Sequence, residues 1–287
     1  MRRLARPTFT AREALALCVA SIRDVSLKGR LQLISPALDA AETNYLALAY
    51  ESALYRTLRS VDINGQVSSD EMERLYSQTF VRSVRTRHIY NAIKSTPEND
   101  ICPLCGQRTV STLDHYLPQS LHPNLTITSA NLVPACAECN KIKLARQAAE
   151  AGEQTLHPYF DDFDDGQWLY AAVIEAIPAA LVFSVRAPGH WDDIKRKRIA
   201  AHFRTFGLGS LYASHSAVEL GNLRGRLKIM ARRMSADQIK AYMHECEEGC
   251  SQVQKNSWQR ATYQALALSD WFCSGGFDGA GPVPRGT

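Results

Sequence analysis

The chain has 287 residues, 45% hydrophobic and 22% charged, which is enough to bury a substantial core without disulfide support. A net charge of +4 is mildly basic; it permits a nucleic-acid partner without demanding one, so such binding must come from local patches. No run reaches the roughly 20 uninterrupted apolar residues of a membrane helix, because Ala14 to Ile22 is followed at once by Arg23 and Asp24.

Arg2, Arg3 and Arg6 before Ala14 to Ala20 imitate a secretory leader, but Glu13 interrupts the apolar run. Thr10 and Glu13 are spaced as the capping box of an amphipathic helix, so a cytoplasmic protein is expected. Over residues 10–60, Leu15, Val19 and Ile22, then Leu46, Ala49, Ala53 and Leu54, recur at helical spacing and predict two helices divided near Ser35-Pro36. After the turn signal Asn64-Gly65, a stripe of Met72, Leu75, Tyr76, Phe80, Val84 and Ile89 predicts helix from Ser69 to Ile93, ended by Thr96-Pro97.

From Ile101 to Lys143 cysteines, prolines and short β-branched runs replace the helical period, which predicts a compact module of its own. Lys141 to Ala151 reads as a helix closed by Gly152, and Leu156-His157-Pro158-Tyr159-Phe160 opens a linker with Asp161, Asp162, Asp164 and Asp165. In that linker, His157 is expected to pack on Tyr159 and Phe160, and the aspartates to be an acidic linker or a partner surface rather than a cation site. Ala180 to Val185 alternates as a strand, and Pro188-Gly189 ends it. Helices are expected near 192–205, 211–233, 235–248 and 256–273, before a disordered Gly/Pro tail. The expected fold class is mainly α with a small α+β insert. Its parts are an N-terminal helical region (1–97), the cysteine module (98–152), a linker (153–191), a C-terminal helical region (192–274) and the tail (275–287).

Four of the eight cysteines form two Cys-x-x-Cys pairs; Cys18, Cys246, Cys250 and Cys273 are scattered and read as small apolar residues. Cys102 with Cys105 and Cys136 with Cys139 can each put two thiolates on one Zn²⁺ at about 2.3 Å, completing a tetrahedron. Four thiolates leave no open coordination position, so this zinc is expected to be structural and to supply folding energy to a short module.

Between the knuckles lie Val110 to Ser120, with Asp114-His115 at its centre, and Asn131-Leu132-Val133-Pro134-Ala135-Cys136. The second knuckle continues as Cys139-Asn140-Lys141-Ile142-Lys143. These elements resemble the HNH nuclease motif in its zinc-containing form. In that family a strand ending in Asp-His, a loop ending in Asn-Leu-Val and a helix carrying Cys-x-x-Cys-Asn-x-x-Lys build a ββα-metal fold. The resemblance implies a metal-dependent endonuclease acting on nucleic acid, DNA favoured over RNA. His115 would be the general base, since a neutral imidazole can take a proton from water near pH 7. Asp114 and Asn140 would hold the catalytic metal through oxygen, which suits Mg²⁺ or Mn²⁺. Asn131 would fix the loop and orient His115.

Arg108, Lys141, Lys143 and Arg146 are expected to hold phosphates, with Arg82, Arg85 and Arg87 and the run Lys195 to Arg198 as further basic patches. A one-metal site cuts one strand at a time, so a double-strand break implies two sites, as in a dimer. The flanks, with His157-Pro158-Tyr159-Phe160-Asp161 and Trp271-Phe272-Cys273 to Phe277, resemble bacterial HNH proteins, of which several sit beside ATPases in anti-phage defence. That resemblance implies an ATPase or sensor partner. A rival reading is a zinc ribbon that binds nucleic acid or protein without cutting.

Overall fold

The computed structural model describes residues 2–143 and 146–278; the expected tail lies outside the described residues beyond Asp278. The chain is mainly helical, with three two-stranded antiparallel sheets among the described residues. It divides into two compact units, 1–162 and 163–287. No described helix is long and apolar enough to cross a membrane.

The first unit opens with α1 (Ala11–Ser21), whose capping box is formed: Thr10 N–H donates to Glu13 Oε2 at 2.8 Å, and the Thr10 side chain accepts from Glu13 N–H. Where one helix is expected before Ser35, there are two. Asp24 caps a new helix, α2 (Val25–Leu33), by accepting from Leu27 N–H at 3.0 Å. Pro36 then lies in the first turn of α3 (Ser35–Tyr50). The Asn64-Gly65 signal is a tight hairpin between β1 (Asp62–Ile63) and β2 (Val67–Ser68), both turn residues having positive φ.

The stripe from Ser69 to Ile93 is not one helix. It breaks into α4 (Ser69–Arg74), a π-turn over Leu75–Phe80, a bend, and α5 (Arg87–Lys94). Buried Thr86 donates its hydroxyl to Thr79 O at 2.9 Å, a side-chain bond that competes with continued helix. The bend leaves Val84 almost fully exposed rather than on the apolar face.

The cysteine-bearing segment does not stand apart from these helices. Its hairpin, β3 (Thr112–His115) and β4 (Leu132–Ala135), pairs Asp114 with Val133 and His115 with Leu132. Leu113, Ile127 and Leu132 enter the same core as Leu15, Phe80 and Ile89. The following helix, α6, runs Ala137–Lys143 rather than Lys141 to Ala151. It starts early because the second knuckle is its first turn. Further on, Gln147 donates to Thr57 O at 2.9 Å and accepts from Arg59 Nε at 2.8 Å, which pins Arg146 to Ala148 as irregular backbone. Gly152 sits in a short 3₁₀ turn, Ala151–Glu153.

In the second unit the expected strand is present as β6 (Ala180–Val185), paired with an unexpected β5 (Leu169–Ile174). The hairpin packs on α8 (Leu208–Met230) and α10 (Trp258–Leu268), with α7 (Asp193–Thr205) and α9 (Ala236–Val253) completing the unit. These four helices fall close to their expected spans. Buried Asn256 joins them to the hairpin entry: it accepts from Trp168 N–H at 2.8 Å and donates to Gly166 O at 3.0 Å and Asp164 Oδ1 at 3.1 Å. Asn256→Ala strips buried donors and acceptors of their partner, and we expect it to lower unfolding free energy by about 2–4 kcal/mol in denaturant titration. A change below about 0.5 kcal/mol would contradict this role.

Candidate functional site

The two knuckles are built from different local devices. In the first, Gly106 adopts φ +65° and closes a tight turn with its N–H on Cys102 O at 2.7 Å, while Arg108 N–H points at Cys105 Sγ at 3.4 Å. In the second, β4 delivers Cys136 and the first turn of α6 delivers Cys139, whose N–H points at Cys136 Sγ at 3.4 Å. All four sulfurs are buried, free of disulfides, and within 4.8 Å of one another. Zn–S bonds of about 2.3 Å give a tetrahedron with edges near 3.8 Å, so the cluster fits Zn²⁺. Packed this closely, four thiols can all give up their protons only when a cation offsets the charge.

Arg108 lies beside this cluster rather than on an open phosphate-binding face. Burial works against its charge, but the sulfurs of Cys105, Cys136 and Cys139 and the carboxylate of Glu138, 3.8 Å away, outweigh that and raise its pKa. It offsets the negative charge of the thiolates.

Asp114 and His115 end β3, both buried. Lys143, expected on the surface, is buried too: its ammonium lies 2.9 Å from Asp114 Oδ2 and donates to His115 O. The cause is helical spacing. Cys139 must face the sulfur cluster, and Lys143, four residues on, shares that inward face. Burial raises the Asp114 pKa, and Lys143 and the His115 N–H oppose that rise.

His115 Nε2 lies 2.8 Å from Thr126 O. A carbonyl only accepts, so Nε2 carries the proton and Nδ1 keeps the lone pair. Burial pushes the His115 pKa down to about 4, overriding the raising effect of Thr126 O. The imidazole is therefore neutral at pH 7.

Asn131, fully buried, holds the intervening loop: it accepts from Leu117 N–H at 2.7 Å and donates to Leu117 O at 3.0 Å and Leu125 O at 3.2 Å. The next carbonyl after Leu125 is the one His115 bonds. Asn140 is half-buried, one turn before Lys143 on α6. Lys141 and Arg146 are exposed.

His157 is a core residue, as expected, with Nε2 2.9 Å from Tyr45 Oη, Nδ1 accepting from Tyr159 N–H at 3.2 Å, and its ring 4.3 Å from that of Tyr116. The aspartates are engaged within their own units: Asp161 accepts from His157 N–H, Asp162 pairs with Arg3, and Asp165 pairs with Lys195. The run Lys195 to Arg198 is only in part an open patch, with Arg196 and Lys197 exposed. Lys195 also covers the Trp191 ring, Arg196 donates to Trp191 O and Gly189 O, and Arg198 is buried. Arg82, Arg85 and Arg87 are exposed.

Two contributors escape sequence reasoning. Thr126 acts through its carbonyl, which any residue could supply. Tyr76, whose ring lies 4.6 Å from that of His115, sits on an apolar stripe that reads as core.

No family model matches the chain, and no solved structure matches it. The chain is 24% identical over 295 residues to protein ea31 of Escherichia phage lambda, covering 96% of this chain and all of that protein.

Two outcomes follow from this geometry. Purified protein should carry about one zinc per chain by elemental analysis, and Cys139→Ser should lose it and expose 98–143 to protease; full zinc retention would contradict the cluster's role. An unfolded His115 protonates near 6.5 and the folded one near 4, so the stability it contributes is whole above pH 6.5 and is lost as pH falls between those values. The His115 ring carbons should show no titration by NMR between about pH 8 and 5; a midpoint near 6.5 would contradict its burial.

Proposed function

We propose that this chain is an HNH endonuclease that hydrolyses the phosphodiester backbone of nucleic acid, DNA in preference to RNA. The observation that carries this reading is a neutral, tautomer-fixed imidazole next to a buried carboxylate at the end of a strand, opposite a helix anchored by the four-sulfur cluster. A solvated turn would need none of these features.

In this mechanism His115 Nδ1 takes a proton from water as its oxygen attacks phosphorus. The phosphorus–O3′ bond breaks and O3′ takes a proton from solvent, leaving a 5′-phosphate and a 3′-hydroxyl. Asp114 and Asn140 offer one carboxylate and one amide oxygen, a hard donor set fitted in kind to Mg²⁺ or Mn²⁺. Such an ion, when bound, neutralises charge on the phosphate and leaving oxygen. Lys143 holds the Asp114 carboxylate and the His115 backbone in fixed relation. Asn131 holds the loop that carries Thr126 O. Lys141 and Arg146 contact the flanking backbone, where binding is salt-sensitive and blind to sequence. Zinc stays structural, and a cytoplasmic role as effector of a bacterial defence system, with an ATPase or sensor partner, rests on the resemblance of the flanks alone.

The rival, a zinc module that binds without cutting, leaves the imidazole geometry without a task. His115→Ala should reduce Mg²⁺- or Mn²⁺-dependent cleavage of plasmid DNA by about 10²–10⁴-fold while zinc content and fold stay unchanged. If the wild-type chain cuts no plasmid, single-stranded DNA or RNA with either metal, with or without a co-purified partner and ATP, the rival reading stands instead.

A further inference from the structure

We propose that Tyr76, from the N-terminal helical region, is a positioning residue for His115, its ring fixing the plane of the imidazole. This rests on the nuclease reading above and extends the site beyond the cysteine-bearing segment. Three observations support it.

The first is mechanical. The bond from Nε2 to Thr126 O fixes one point of the imidazole, but a ring held at one point can still rock about that bond. A second contact is needed to set its plane. Tyr76 supplies it, meeting His115 edge to face at 4.6 Å between centroids with a 66° tilt, a favoured arrangement for aromatic pairs.

The second is that Tyr76 is itself braced. Phe80, fully buried, stacks on it at 5.5 Å with only 18° between the planes. The contact is therefore part of a chain of rings that runs into the core.

The third is the backbone that presents it. Tyr76 and Phe80 both lie in the π-turn, where Val81 N–H reaches back five residues to Tyr76 O at 2.9 Å. The π-turn closes α4, and its extra residue rotates the side chains that follow. Here Leu75 and Phe80 both stay buried while Tyr76 remains half-buried against His115.

A role in the core alone would affect stability and leave the imidazole indifferent to ring chemistry. The test compares Tyr76→Phe and Tyr76→Leu in the full zinc-loaded chain. Three readouts are taken: kcat and KM for plasmid cleavage in Mn²⁺, zinc content, and the His115 ring C–H signals by NMR without added Mn²⁺ or Mg²⁺. Tyr76→Leu is expected to lower kcat by about 10–100-fold with KM within about twofold, and to shift the His115 signals as the neighbouring ring current is lost. Tyr76→Phe, which keeps the ring, is expected to restore both. A folded, zinc-loaded Tyr76→Leu with wild-type kcat and unshifted His115 signals overturns the proposal, as does Tyr76→Phe that fails as badly as Tyr76→Leu. Absence of wild-type cleavage overturns the nuclease reading itself, whereas wild-type cleavage with an indifferent Tyr76→Leu overturns only the role of Tyr76.

Discussion

The first unit depends on four sulfurs sharing one small buried space. The cluster joins three pieces of chain: the loop after α5, the end of β4 and the start of α6. Once Cys139 is committed to it, the rotation of α6 is set, and every residue of that helix has a fixed direction. Lys143 then has to enter the protein, where an unpaired ammonium would be costly. Asp114 meets it, and the carbonyl of His115 completes the pairing.

From this pairing the electrostatics of the site follow. A buried carboxylate alone would hold its proton; beside an ammonium it has reason to ionise, and the same positive charge discourages protonation of His115. Burial keeps the lone pair on His115, whereas at Asp114 burial still outweighs Lys143 and holds its pKa above the ordinary carboxylate value. The loop between the strands has a complementary task. Asn131 spends its whole amide on that loop, and the loop in turn presents one carbonyl to the imidazole.

Much of this was legible in the sequence where a feature depends on short-range spacing. The doubled Cys-x-x-Cys, the Thr10 capping box, the Asn64-Gly65 hairpin and the helices from Asp192 onward are local signals, and each is found where expected. What escaped depends on tertiary contacts. The direction of Lys143 follows from the anchoring of Cys139, not from its own charge. The break of the stripe after Phe80 depends on Thr86 meeting Thr79, and β5 has no clean alternation to announce it. Basic residues misled most, since Arg108, Lys143 and Arg198 look like surface cations in a sequence yet turn to sulfurs, a carboxylate or the interior.

The central claim is that the sulfur cluster frames a second, oxygen-lined cation position at Asp114 and Asn140. Crystals grown with Mn²⁺ and measured at the zinc and manganese absorption edges test it most directly. The account predicts a zinc peak enclosed by Cys102, Cys105, Cys136 and Cys139 and a separate manganese peak against Asp114 and Asn140. A zinc peak alone, with Asp114 bound solely to Lys143 at saturating Mn²⁺, would contradict it.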